Sequence, residues 1–416
     1  MKILIHGLNF SPELIGIGKY TGELAQWMAA TGHEVHVVTA PPYYPDWKVR
    51  SPYRSWRYQT ESWQDVKVIR CPLWVPRHPS GITRIIHLLS FAISSSFALI
   101  NQTKFKPDVV ISIVPTLFAA ASAARLARRC KAVSWLHIQD FELDAAANLG
   151  MLHSKKVIMS LAIRWERFVL DQFNRVSSIS NQMVKRLIVK GVPEEKTDLF
   201  PNWVDTNTIY PLPAGDNPFR KELGISNDQL MILYSGNMGA KQGLGLLVDA
   251  AKQLHSNSQL VFVLCGNGSS RADLEKSASE LQNMLFLDLQ PPDKLNLLLN
   301  AADIHILPQQ AGAADLVMPS KLLGMLASGK PVIATALEGT ELADVVGQTG
   351  MVVPPNDLEK TVQAILQMAG LPELRIKLGI NSLEVVKSKW SKDTVLSRFM
   401  SELQNIVSTR SMNRPG

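Results

Sequence analysis

Short unbroken apolar runs alternate along this chain with longer stretches in which apolar positions recur every three or four residues. Strands of a parallel sheet covered on both faces read as such runs, and surface helices read as such stripes. The pattern predicts strands over Lys2–Ile5, Val35–Thr39, Asp108–Ile113 and Ala132–Leu136. Tyr20–Thr31 is predicted helical, with Leu24, Trp27 and Met28 on one face and Gly32 as its stop, and Leu117–Arg129 forms an alanine-rich helix. After residue 200 the alternation restarts. Strands are expected over Met231–Tyr234, Leu260–Leu264, Asp303–Leu307 and Pro331–Ala334, with helices over Leu244–His255 and from about Ser320. Strand–helix–strand alternation of this kind implies an α/β protein of two Rossmann-like parallel-sheet domains. The expected division is 1–200, a Pro- and Asn-rich hinge over 201–213, a second domain over 214–390, and a C-terminal helix over 391–416 able to pack back on the first domain. Two such halves create a cleft, with strand ends facing it.

Composition narrows the function classes. The chain has 416 residues, 46% of them hydrophobic, and a mean hydropathy of +0.03, ordinary for a globular protein with a sizeable core. Its three cysteines, Cys71, Cys130 and Cys265, are far apart and form no CxxC pair, so buried thiols are expected in place of disulfides or zinc. Met1–Gly7 is too short and too quickly polar for a signal peptide, which points to a cytoplasmic enzyme. Residues 1–200 carry 25 basic and 15 acidic side chains, net +10; the remainder carries 18 and 21, net −3, for the total of +7. A basic half joined to a mildly acidic one points to an anionic partner for the first half. No nucleic-acid motif is present, so anionic lipid or a pyrophosphate-linked acceptor is preferred.

Residues 84–105 read in two ways. The apolar run Ile85–Ile100 spans 16 residues and includes four serines and a histidine, short of the ~20 apolar residues of a spanning helix. It is either a core helix or, with Arg77, Arg84, Lys104 and Lys106 beside it, an amphipathic helix on the membrane surface.

Four segments carry candidate chemistry. In Tyr234–Gly243 a strand ends in a turn where Gly236, Gly239 and Gly243 let the backbone approach an anion, and Lys241 adds a charge; the bland alternative is a simple glycine turn. In Gly312–Leu323, Pro319 and Ser320 start a helix with Lys321 in its first turn, a placement that opposes the helix dipole and that a bound anion would reconcile. Phe10–Lys19 carries Gly16 and Gly18 about ten residues beyond the first strand, too far for a dinucleotide fingerprint, so a dehydrogenase is disfavoured. Trp135–Asp144 sits at a strand's C-terminal end, where His137 or Asp140 can orient or deprotonate an acceptor hydroxyl; a packed histidine and a helix cap are their ordinary alternatives.

Taken together, SPELIGIGKYTGE (11–23), TAPPYYP (39–45), RCPLWVP (70–76), VPTLF (114–118), LHIQD (136–140), FPNW (200–203), YSGNMGAKQGL (234–244) and GAADLVMPSKL (312–322) resemble, nearly end to end, the retaining nucleotide-sugar glycosyltransferases of GT-B family four. The resemblance implies the GT-B fold, with the donor in the C-terminal domain. Gly236, Asn237 and Lys241 would contact its diphosphate, Ser320 and Lys321 its phosphate or ribose, and Gln242, Gly266, Asp315 and Leu322 would line the donor site. Gly16 and Gly18 would face the diphosphate from the other domain. It further implies a nucleotide-sugar co-substrate, GDP-fucose, no other cofactor and, with no DxD motif, no metal. The acceptor would be a lipid-pyrophosphate-linked saccharide of a colanic acid-like exopolysaccharide, met at the inner face of the plasma membrane. The chain departs from the broad family pattern. The usual pair of glutamates eight apart falls on Leu316 and Gly324, the usual Arg of the phosphate turn is Asn237, and the usual Lys is Gln242. A nucleotide-sugar 2-epimerase of the same fold and a non-catalytic scaffold of an assembly complex are the alternatives.

Overall fold

A computed structural model describes residues 1–13, 16–141, 156–213, 217–310 and 319–412. The chain forms two units, Met1–Phe200 with Leu396–Gly416, and Pro201–Val395. The first is built on eight strands: β1 (Lys2–Gly7), β2 (Glu34–Thr39), β3 (Gln59–Trp63), β4 (Val66–Arg70), β5 (Val109–Val114), β6 (Val133–Ile138), β7 (Arg175–Ser178) and β8 (Thr197–Leu199). They lie in the order β3-β4-β2-β1-β5-β6-β7-β8, parallel throughout except at β3–β4. The chain runs outward from β1 to β2 on one side and from β5 to β6 on the other. The order therefore reverses between β1 and β5, and the crevice of such a sheet opens at their C-terminal ends.

The four strands expected here are present within two residues at each end, because each is a buried apolar run. The helix expected from Tyr20 starts at Gly16. β3 and β7 carry no such signal. β3 is an antiparallel strand at the sheet edge, with half-buried and exposed positions alternating. β7 buries Ser177 and Ser178, which is tolerated because both hydroxyls are bonded: Trp135 Nε1 donates to Ser177 Oγ at 2.8 Å, and Ser178 Oγ donates to the Ile138 carbonyl at 2.7 Å. The last helix, Lys392–Met412, packs on this unit. Its Phe399 stacks on Phe200 at 4.0 Å and meets Trp135 edge-on at 4.8 Å, and Glu402 pairs with Arg175 at 3.0 Å.

Residues 84–105 lie mostly in the helix Gly81–Asn101, which has a buried side and an exposed apolar side. His87, Phe91, Ser95 and Leu99 are buried; Ser95 Oγ bonds His6 Nε2 at 3.1 Å, and Phe91 stacks on the His6 ring. Ile82, Ile85, Ile86, Leu89, Ile93, Phe97 and Ile100 are exposed. Among the described residues this is the one helix long and apolar enough to cross a membrane by length and composition, yet one side of it is committed to the sheet.

The second unit holds β9 (Leu230–Ser235), β10 (Leu260–Cys265), β11 (Met284–Leu287), β12 (Ile304–Leu307), β13 (Val332–Thr335) and β14 (Gly350–Val353). Their order is β11-β10-β9-β12-β13-β14, all parallel. Alternate β9 residues serve separate cores, as the two-residue period of a strand requires. Met231 and Leu233 pack with Leu322 and Leu326, whereas Ile232 and Tyr234 pack with Leu247 and Phe262. The order reverses between β9 and β12, so the glycine turn that follows β9 stands at the reversal.

Candidate active site

The turn after β9 is held by a second glycine turn after β10. Gly236 N–H donates to the Cys265 carbonyl, Met238 N–H to the Asn267 carbonyl and Ser270 N–H to the Met238 carbonyl, each at 2.9 Å. Gly236 and Gly266 have φ of +150° and +143°, and a Cβ on Gly266 would stand 1.9 Å from the Gly236 carbonyl oxygen. Gly266 thus lets the two turns touch, a packing role beyond the donor contact expected of it. The turn continues as a short 3-10 helix, Ala240–Gln242, ended by Gly243 in the left-handed region. From the other side of the reversal, Gln310 N–H donates to the Lys241 carbonyl at 3.3 Å.

Lys321 reaches this turn from the helix Ser320–Ala327, whose Leu322, Leu323 and Leu326 anchor it in the core. Its Nζ donates to Tyr234 Oη at 2.8 Å and lies 4.5 Å from the centre of the Tyr234 ring. Tyr234 O–H in turn donates to the Asn237 carbonyl at 2.5 Å. A Cβ on Gly236 would stand 3.0 Å from Lys321 Nζ, so the missing side chain leaves the ammonium room beside the turn. Among the described residues no carboxylate pairs with Lys321, and burial pulls its pKa down to about 8. A half-buried cation at a helix N-terminus, without an acid, is electrostatically incomplete; an anion at the turn would complete it.

The other donor-side residues fall around this centre. Lys241 and Asn237 are exposed on the turn and Ser320 is exposed at the helix start. Gln242 is half-buried, and its Oε1 is enclosed without a hydrogen-bond partner. Leu322 departs from expectation: its side chain is wholly buried in the core, and its N–H donates to the Pro319 carbonyl at 2.9 Å. The helical stripe that makes it a good anchor removes it from the surface. Asp315 lies outside the described residues. Among those described, no three His, Cys, Asp or Glu side chains group as metal ligands.

In the first unit the structure separates the two acceptor-side candidates. His137 is buried in β6; its Nδ1 is 2.9 Å from Ser177 Oγ and its ring is 4.8 Å from that of Phe200. Burial lowers its pKa to about 3, so the ring is neutral. Its Nδ1 face is committed to packing within the sheet. Asp140 is exposed just beyond β6, at a cavity of about 280 Å³ that Val114, Leu117, Phe141 and Trp165 also line.

Gly16 opens the helix Gly16–Ala30 with φ +64°. Gly18 is instead buried against Glu13: a Cβ there would stand 2.5 Å from Glu13 Oε2. Packing against Glu13 accounts for the missing side chain at that position. Glu13 is itself a residue that the sequence pattern passed over. It is buried beyond β1, accepts from Asn9 Nδ2 at 2.9 Å and from the N–H groups of Tyr43 and Tyr44 at 3.1 Å, and burial raises its pKa. It ties the loop after β2 to the loop after β1. The available signal was its place as the sole acid between Met1 and Glu23.

Comparison with known proteins bears on the fold and the family. A model of the glycosyl transferase 4-like domain matches residues 16–203, and one of the glycosyl transferases group 1 matches residues 229–370. A protein of Escherichia coli (strain K12), named for colanic acid biosynthesis as the glycosyl transferase WcaI, is 42% identical over 412 residues, covering 97% of this chain and 100% of that one. Among solved structures, sucrose-phosphate synthase from Thermosynechococcus elongatus is similar with a TM-score of 0.74 at 17% identity, over 98% of this chain and 99% of that one. HepE of Anabaena in complex with UDP-glucose is similar with a TM-score of 0.68 at 15% identity, over 97% of this chain and 100% of that one. These two likenesses show the fold. With the domain matches and the end-to-end identity to WcaI, they make this chain a glycosyltransferase of GT-B family four.

Proposed function

We propose that the chain is a retaining enzyme that moves fucose from GDP-fucose onto a lipid-pyrophosphate-linked saccharide, in assembly of a colanic acid-like exopolysaccharide. The observation that carries the donor side is the Lys321 ammonium beside the Gly236 turn, at the reversal of the second sheet, with no carboxylate partner among the described residues. WcaI, named for colanic acid biosynthesis, supports the pathway, and HepE, solved with UDP-glucose, supports a nucleoside diphosphate sugar as donor class.

The chemistry proposed is front-face displacement. The bond from the anomeric carbon to the diphosphate oxygen breaks, and the acceptor oxygen bonds to that carbon on the same face. The acceptor proton passes to the departing diphosphate oxygen. The protein then contributes positioning and stabilisation of the leaving charge. Lys321 and Lys241 supply positive charge, and Asn237, Gln242, Ser320 and the turn N–H groups supply hydrogen bonds. Asp140 orients the acceptor hydroxyl. No metal takes part in the proposed reaction. The site of action is the cytoplasmic face of the plasma membrane, held by the exposed stripe Ile82–Ile100 with Arg77 and Arg84.

A thermal-shift panel of GDP-fucose, UDP-glucose, UDP-galactose and dTDP-rhamnose tests the donor. GDP-fucose is expected to give the largest shift, and an equal response to all four removes the assignment. The anomeric configuration of the product, read by NMR, tests retention. Sedimentation with anionic vesicles at low and high salt tests the membrane contact; binding that ignores salt and survives charge reversal at Arg77 and Arg84 rejects its electrostatic part.

A further inference from the structure

The first unit carries a groove of about 1160 Å³ that the chemistry above does not use. It lies between the loop after β2, with Trp47 and Trp56, the stretch after β4, with Leu73 and Trp74, and the helix Gly81–Asn101, with Ile93 and Phe97. Its volume is at or above the roughly 300–1,000 Å³ of usual small-molecule sites.

Several polar groups of its wall are spent within the fold. Tyr58 O–H donates to the Ser94 carbonyl at 2.8 Å, and Ser94 O–H donates to the Pro72 carbonyl at 2.7 Å. Trp74 N–H donates to Ser90 Oγ at 3.1 Å, and Ser90 O–H donates to the His87 carbonyl at 2.7 Å. Between its charged residues the wall offers mostly hydrocarbon and ring faces. A saccharide would replace only part of its hydrogen bonds to water there, whereas a hydrocarbon chain has none to lose. Trp56, Ile93 and Phe97 are 68%, 63% and 61% exposed, a concentration of bare apolar surface that marks an interaction site.

Charge identifies the head of the occupant. The wall includes Lys48, Arg77 and a single carboxylate, Asp46, which Arg50 already pairs. Arg54 and Arg57 lie 5.9 and 5.7 Å from the Trp56 ring, and Arg84 lies 5.5 Å from the Trp47 ring. Ile93 and Phe97 belong both to the groove and to the exposed stripe of the helix, so the groove opens onto the face proposed to meet the membrane. A ligand with an apolar chain and an anionic head, arriving from the bilayer, fits all of these features.

We infer that this groove holds the hydrocarbon chain of the lipid diphosphate that carries the acceptor saccharide, with the diphosphate among Lys48, Arg77 and Arg84. The inference rests on the acceptor half of the proposed function. Its test is binding of geranylgeranyl diphosphate to the full chain in detergent-free buffer, followed by tryptophan fluorescence, with inorganic diphosphate and dihexanoyl phosphatidylglycerol as comparison probes. Wild type is expected to bind the isoprenoid at least about tenfold more tightly than either comparison probe. Ile93→Glu and Phe97→Glu place a carboxylate in the groove and are expected to weaken isoprenoid binding about tenfold or more. Ile376→Glu and Ile380→Glu, at similarly exposed isoleucines of the second unit, are expected to leave it unchanged. An undiminished thermal shift with GDP shows that each variant is folded. Equal binding of isoprenoid and inorganic diphosphate, equal binding of isoprenoid and phosphatidylglycerol, or full binding by Ile93→Glu and Phe97→Glu overturns the inference. A protein that binds the isoprenoid as expected but transfers no sugar to a lipid-linked saccharide keeps the groove and loses the acceptor reading.

Discussion

Replacing Lys321 by methionine is expected to stabilise the free protein while weakening its hold on a nucleoside diphosphate. Burial lowers the Lys321 pKa from 10.5 to about 8, which corresponds to on the order of 3 kcal/mol against the charged form. Methionine has nearly the same length and can rest on the Tyr234 ring without that cost. Exchanging a half-buried cation that has no carboxylate partner among the described residues for an apolar side chain should recover about 1–3 kcal/mol, visible as a rise in urea midpoint at pH 7. Binding should move the other way. Loss of one charged hydrogen bond to the anion, about 1.5–3 kcal/mol, weakens GDP binding about 10- to 150-fold. The pH dependence follows from the direction of the shift. Between about pH 8 and 10.5 the unfolded chain holds a proton on Lys321 that the free native protein has released, so native stability rises with pH over that window. A bound diphosphate requires the protonated amine, so GDP affinity should fall as pH rises above about 8, approaching tenfold per unit. Lys321→Arg, charged throughout, should show a flat profile. Isothermal titration with GDP between about pH 7.5 and 9.5, where phosphate ionisation is complete, separates these cases. If Lys321→Met lowers the urea midpoint and leaves GDP affinity intact, the ammonium is a structural prop for the Asn237 turn and the anion site lies elsewhere.

The remaining expectations follow from the same geometry. Gly266→Ala, whose Cβ would stand 1.9 Å from the Gly236 oxygen at φ +143°, should cost about 2–4 kcal/mol in urea unfolding and abolish the GDP thermal shift. Asp140→Asn should lower kcat about 100-fold with GDP binding unchanged, whereas His137→Gln should stay within about fivefold of wild-type activity; equal losses would return the acceptor role to His137. His6, His137 and His305 are buried, with pKa values lowered to about 4, 3 and 3. The unfolded chain takes up protons below about pH 6.5 that the native protein refuses, so each should remove roughly 1.4 kcal/mol of stability per pH unit on acidification. Urea unfolding from pH 7 to 5 should show this slope, and His137→Gln should reduce it.

Much of the architecture was legible in the chain itself. A strand covered on both faces is apolar at most positions, so β1, β5, β9, β10 and β12 announce themselves as runs, and the restart of the pattern after residue 200 announces a second sheet. The glycine turn at 236–243 and the helix start at Ser320 are local chemistry, and local chemistry is written in consecutive residues. β3 and β7 were not legible. An edge strand lies partly in water, and the serines of β7 are tolerable only because Trp135, Ile138 and His137 supply their partners.

Tertiary structure alone decided which polar residues do what. His137 and Asp140 are three apart at one strand end, and nothing along the chain says that one is enclosed by Ser177 and Phe200 while the other stays at the surface. Gly18 is glycine because of Glu13, and Gly266 because of Gly236 thirty residues earlier. Lys321 sits 87 residues from the tyrosine that holds it. Hydrophobic periodicity reports whether a residue faces the core. A charge or a glycine is explained by what stands against it, and those neighbours come from remote parts of the chain.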